Sequence, residues 1–178
     1  MVPDSQTFVL KAGLLADGSG PAPRIDQAVG GADGDIKAVG PAEEVTSQVA
    51  PDTEPINLGS ACLPPGLIDG HPHLGLPGDG RPYRDYFRES DEMMICIGAD
   101  NMIKHLKSGV TTLREHGARY RVGFILKEGL RRGYLAGPRM MVSGRPITCT
   151  GGHFHMCNEG ADGEEEIRRS VRRLVSEG

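Results

Sequence analysis

Apolar residues recur along the chain in two rhythms, one of strands and turns and one of alternating strands and helices. Up to about residue 63 the apolar runs are short: Phe8-Val9-Leu10 and Leu14-Leu15, broken by Ala16-Asp17-Gly18-Ser19-Gly20, then Asp35-Ile36-Lys37-Ala38-Val39-Gly40 with the alternation of a half-buried strand. Pro41-Ala42-Glu43-Glu44-Val45 reads as one helical turn, and Ile56-Asn57-Leu58 and Ala61-Cys62-Leu63 close a small β unit.

The period then changes. Leu67-Ile68-Asp69 is a short apolar run, and Ser90 is placed to cap a helix reaching about Lys107, with Met94, Ile95, Ala99, Met102, Ile103 and Leu106 stepping by three and four. Gly109 ends it and a β-branched strand follows at Val110-Thr111-Thr112-Leu113-Arg114. A second helix is expected from Arg121 to Arg132 with Val122, Ile125, Leu126 and Leu130 inward, then a strand over Pro138–Ser143. A third helix is expected behind Asp162, whose spacing to Glu165 suits a capping box, with Ile167, Val171, Leu174 and Val175 as its apolar stripe. The order β-α-β-α-β-α is that of parallel strands with crossover helices.

Composition narrows the class. The 26 glycines and 13 prolines make up about a fifth of the 178 residues, nearly twice the usual share, and without a Gly-X-Y period they mean many tight turns. With 20 Lys+Arg against 24 Asp+Glu and no basic tract, no nucleic-acid partner is expected. The apolar run around Met93–Ala99 is too short to cross a bilayer, so no membrane partner is expected either. Cys62, Cys96, Cys149 and Cys157 are widely spaced, and the start carries no basic and apolar leader pattern. Reduced thiols in a cytoplasmic protein are the expectation.

Histidines stand just after all three strands of the second half: His71 and His73, then His116, then His153 and His155. Ligand-binding groups of parallel α/β folds lie at these strand ends. In an extended strand end, an H-x-H pair turns both imidazoles to one face, half a site for zinc or a similar divalent metal. Ordinary loop histidines are the alternative. Cys149, His153, His155 and Cys157 fall within nine residues and would suit a small structural zinc module, although their spacing matches no common finger. A Gly-rich substrate-contacting loop is the competing reading. Glu115-His116 reads equally as a supporting pair or a solvated strand end, and His105, between Lys104 and Lys107, as surface.

Leu63-Pro64-Pro65-Gly66-Leu67-Ile68-Asp69-Gly70-His71-Pro72-His73 strongly resembles the PGLIDxHxH signature of the amidohydrolase superfamily. Gly109–Arg114, and Gly137-Pro138-Arg139 through Ser143–Thr148 to Thr150-Gly151-Gly152-His153, resemble its imidazolonepropionase/Xaa-Pro-dipeptidase-like branch. The resemblance implies an α/β fold: residues 1–63 as the N-terminal part of a composite β domain and 64–178 as about three βα units of an incomplete (β/α)8 TIM-type barrel. It implies hydrolysis of amide, dipeptide or cyclic-amide C–N bonds by metal-activated water. His71 and His73 would hold the divalent metal, most readily zinc, with Asp69 supporting them and His153 and His155 facing a small-molecule or dipeptide substrate.

Three departures stand out: Pro72 between the two histidines, Glu115 where Arg-Asp is frequent, and a Gly- and Ala-rich Gln27–Ala32 where a hydrophobic strand is usual. That last stretch reads as poorly ordered. The family's general base and further ligands would lie beyond Gly178, which implies an inactive N-terminal fragment that needs the remainder or a homo-oligomer. A non-catalytic interaction module is the alternative from another class.

Overall fold

The computed structural model describes residues 7–49, 54–86, 88–155 and 159–178. The chain forms two compact units that divide between Pro65 and Gly66.

The first unit is a sheet with one helix. Strand β1 (Phe8–Leu15) runs antiparallel to β2 (Arg24–Ala32), which pairs antiparallel with β3 (Asp35–Pro41). Helix α1 (Ala42–Val49) follows, and the two-residue strands β4 (Ile56–Asn57) and β5 (Cys62–Leu63) lie parallel to β1. Its core is Val9, Ala28 and Val45, with Ala38, Ala42 and Val49 packed against them.

The expectation for Gln27–Ala32 is overturned: it is part of strand β2, with a register shift against β3 between Gly30 and Gly31. Its small residues have a packing reason. A Cβ at Gly30 would lie 2.7 Å from Val49 and 2.8 Å from Val45, and one at Gly31 would lie 2.4 Å from the Phe8 ring. Helix α1 and Phe8 sit directly on the backbone, so the apolar bulk is supplied by neighbours rather than by the strand itself.

The second unit has a three-stranded parallel sheet in the order β6 (Leu67–Asp69), β7 (Val110–Glu115), β8 (Arg139–Val142). A four-residue helix α2 (Tyr83–Tyr86) precedes α3 (Asp91–Lys107); α4 (Val122–Arg131) joins β7 to β8. A pair of two-residue parallel strands, β9 (Ile147–Thr148) and β10 (Glu159–Gly160), precedes α5 (Glu164–Glu177). Ser90 caps α3 through its side chain, which accepts from the Met93 amide at 3.2 Å, and Gly109, at φ +89°, turns the chain into β7.

The core of this unit lies between the sheet and α3 and α4: Leu74, Met94, Met102, Leu113, Ala118, Val122, Leu126 and Met140. Alternation along β7 puts Leu113 and Glu115 on that face. The fold class is therefore α/β, and no barrel is closed among the described residues.

Three helix details differ from the sequence pattern. Ile125 faces outward, 44% exposed, while Phe124 takes the buried place. Helix α5 starts at Glu164 behind Gly163, with no side-chain cap, because Asp162 is occupied elsewhere: its carboxylate accepts from the Thr150 amide at 3.0 Å and from the Thr150 hydroxyl. Of its apolar stripe only Leu174 is buried; Ile167, Val171 and Val175 are exposed. Charge holds α5 instead. The half-buried Arg145 pairs with Glu159 at 2.9 Å and with Glu177 through two nitrogens at 2.7 and 2.8 Å.

Candidate functional site

The parallel register ends β6 at Asp69, and the chain turns there with its polar groups at the C-terminal edge of the sheet. Asp69 starts the turn: its Oδ1 accepts from the His71 amide at 3.0 Å, as Asp does in an Asx turn. Neighbouring elements take up the backbone that follows. Arg114 Nε donates to the Gly70 carbonyl at 3.1 Å and the His116 amide to the Pro72 carbonyl at 3.1 Å. Pro72 and Leu74 are buried, which anchors the turn on both sides of His73.

This geometry brings His71, His73 and His116 together. The ring centres of His71 and His73 are 5.2 Å apart with planes at 72°. Two imidazoles sharing one tetrahedral metal through bonds of about 2.0–2.1 Å have ring centres roughly 5 Å apart, so the pair fits a single divalent ion. Nδ1 of His73 faces the Gly117 carbonyl at 3.4 Å; with hydrogen on that nitrogen, Nε2 is left with its electron pair free for a metal.

His116 is arranged differently. Its ring stacks on His71 at 4.2 Å with planes only 14° apart. Near-parallel rings send their in-plane electron pairs side by side rather than to a common point, so His116 supports the His71 ring instead of sharing an ion with it. Its Nε2 is buried without a hydrogen-bond partner. Burial lowers its pKa, helped by the charges of Arg114, His71 and His73. Among the described residues no cluster of three or more His, Cys, Asp or Glu side chains is arranged to close a metal site. The His71–His73 pair has the ring spacing of two ligands and no third beside it among the described residues.

The histidines expected at the end of the third sheet strand lie further on, in an exposed turn that follows β9 rather than β8. His153 stacks edge-on against Phe154 at 4.2 Å, and Phe154 lies 6.2 Å from the His73 ring, so a row of rings links this turn to the metal-fitting pair. His155 folds back, its Nδ1 3.2 Å from the Gly152 carbonyl. Cys149 is a free, exposed thiol, and Cys157 lies outside the described residues.

Two groups around the site escape the sequence reading. His105 is a half-buried residue rather than a surface one, its Nε2 3.2 Å from Asp69 Oδ2. Glu115 is fully buried against α4, not a solvated strand end, and neither carboxylate oxygen has a hydrogen-bond partner. Burial pushes its carboxyl up to about 7, opposed by the nearby Gly117 amide. The signal for His105 was its spacing: it stands at i+4 from Asn101, on the side of the helix next to Met102.

Comparison with known proteins identifies the family. Residues 63–178 match the model of the amidohydrolase family. The chain is 27% identical to the imidazolonepropionase of Haloarcula marismortui over 126 residues, covering 61% of this chain and 30% of that protein. It is 45% identical to a probable imidazolonepropionase of Bos taurus over 81 residues, covering 44% of this chain and 17% of that one. Among solved structures, a Xaa-Pro dipeptidase with methionine bound in its active site superimposes with a TM-score of 0.78 at 26% identity, over 97% of this chain and 45% of that one. The ochratoxinase of A. niger shares the fold with a TM-score of 0.77 at 23% identity, over 98% and 45% of the two chains. The chain thus spans less than a third of the curated relatives it matches and less than half of these structural ones. With a family match running from Leu63 to the last residue and the signature histidines paired at the end of β6, this chain belongs to the amidohydrolase family.

Proposed function

We propose that the chain is the metal-binding N-terminal part of a metal-dependent hydrolase of amide, dipeptide or cyclic-amide C–N bonds. The observation that carries the reading is the His71–His73 pair, with ring centres 5.2 Å apart at the C-terminal end of β6 inside the family-matched segment. The similarity to an imidazolonepropionase and to a Xaa-Pro dipeptidase supports a small amide substrate.

His71 and His73 hold the divalent ion, zinc being the ion best suited to two neutral imidazoles. The metal, when bound, supplies Lewis acidity to the amide cleavage. Asp69 fixes the His71 backbone, while His153 and His155 lie on the substrate side with Phe154 between His153 and the metal pair. Catalytic zinc sites use about three protein ligands, so two imidazoles leave the set open, and the three βα units are the opening part of a TIM-type barrel whose later strands complete it. The 178-residue chain alone is therefore inactive. A reducing, cytoplasmic setting belongs to the proposal; the free thiols of Cys62, Cys96 and Cys149 suit it.

The test is calorimetric zinc titration of the wild-type chain against His71→Ala/His73→Ala and Cys149→Ala/Cys157→Ala variants. Binding lost only in the histidine variant is expected. Binding lost only in the cysteine variant would move the metal to a structural module in the 149–157 loop and end the present assignment.

A further inference from the structure

Two residues of α3, one turn apart, reach opposite ends of the segment that carries His71 and His73. Asn101 is buried and donates from Nδ2 to the Leu74 carbonyl at 2.8 Å, just past His73. His105 reaches the other end, with Nε2 3.2 Å from Asp69 Oδ2, just before His71. Its Nδ1 lies 2.8 Å from the Asn101 carbonyl four residues earlier in the helix; both partners are acceptors, so the ring serves them with hydrogen on both nitrogens, Nδ1–H fixing the ring plane and Nε2–H aimed at the carboxylate.

Asp69 is therefore used at both oxygens. Oδ1 takes the His71 amide at 3.0 Å and Oδ2 faces His105. A carboxylate held by one oxygen alone rotates freely about its last bond, so its hold on the His71 amide depends on what secures the other oxygen. The half-buried setting of His105 keeps water from substituting fully for that contact.

We propose that His105 is a positioning residue of the metal site: through Asp69 it fixes the backbone of His71, and together with Asn101 it makes α3 a two-point clamp on the H-x-H turn. The proposal rests on the reading of His71 and His73 as the metal-holding pair. Groups one step removed from a metal ligand commonly change metal affinity by about 10–100-fold when lost. His105 stands one step further away, so the low end of that range is expected.

Two near-isosteric substitutions separate a directed donor from a ring that only fills space. In His105→Gln the side-chain amide nitrogen takes the place of Nε2 and can still serve Asp69. In His105→Asn it takes the place of Nδ1 and can serve only the helix carbonyl. The 178-residue chain is read in two ways: hydrogen exchange of the His71 amide in metal-free protein, and zinc affinity by calorimetry. Protection and affinity are expected within ~3-fold of wild type for His105→Gln, and each about tenfold lower for His105→Asn. Wild-type protection and affinity in His105→Asn would overturn the proposal, and so would an equal loss in both variants, which would mark a merely structural ring. If zinc binding vanishes in His71→Ala/His73→Ala while His105→Asn binds normally, the clamp alone has failed. If zinc binding survives in His71→Ala/His73→Ala, the metal reading has failed and the clamp's role falls with it.

Discussion

The chain carries two histidine-rich turns, and the bonds that reach the first come from different places than those that reach the second. Residues 69–74 are gripped from outside: Arg114, the His116 amide, Asn101 and His105 each reach in from another element. Residues 149–155 carry bonds inside the turn, from the Gly152 amide to the Cys149 carbonyl and from the His155 amide to the Gly152 carbonyl, and Asp162 reaches in to Thr150. Both turns stand at the C-terminal end of a parallel strand. The first turn is tied from β7 and α3 at the backbone and carboxylate beside its imidazoles, the kind of support a preorganised metal site uses.

The strongest way to stress this region is pH, through Glu115, buried against α4 and next in sequence to His116. Its carboxyl is pushed up from 4.5 to about 7 in the folded chain. Between those two values the folded state keeps a proton that the unfolded state has released, so stability falls as pH rises through this window and levels off above it. The loss is bounded at roughly 3 kcal/mol between about pH 4.5 and 8. Urea melts at pH 5 and pH 8 measure it, and Glu115→Gln is expected to flatten the difference. A wild type as stable at pH 8 as at pH 5 would mean that Glu115 ionises without penalty.

A smaller effect is expected at the clamp. Asn101→Ala strands the buried Leu74 carbonyl and removes a well-formed bond, which should cost about 2 kcal/mol in urea melts and weaken zinc binding by about tenfold. A variant as stable as wild type would show that water replaces the amide and that the grip on the turn is weaker than drawn.

The smallest effect belongs to the other turn. Asp162→Ala removes the partner of Thr150, yet the group is exposed and its carboxyl is held low chiefly by that hydroxyl and amide. The global melt and the zinc affinity are expected to stay at their wild-type values. A fall in zinc affinity matching that of Asn101→Ala would erase the distinction between the turns.

Much of this was legible from the chain itself. The 3.6 period and the Ser90 cap locate α3 to the residue, and the β-branched run at Val110–Arg114 locates the central strand. What escaped the pattern depended on partners distant in sequence. Strand β2 looks too small to be a strand until α1 and Phe8 are seen lying on Gly30 and Gly31. Ile167, Val171 and Val175 have helical spacing but stay exposed, because Arg145 and its glutamates rather than a matching apolar surface hold α5. His105, flanked by lysines, looks like surface from its neighbours in sequence and takes its role from Asp69, thirty-six positions away. The H-x-H motif was readable because it is local, and the bonds that reach it from α3 and β7 were not.

The most direct test is X-ray absorption at the zinc edge on the chain loaded with one equivalent of zinc. Nitrogen and oxygen neighbours only, with two imidazoles at about 2.0–2.1 Å, are the predicted result. Sulfur scattering at about 2.3 Å would place the ion on the cysteines of the second turn and contradict the assignment of His71 and His73.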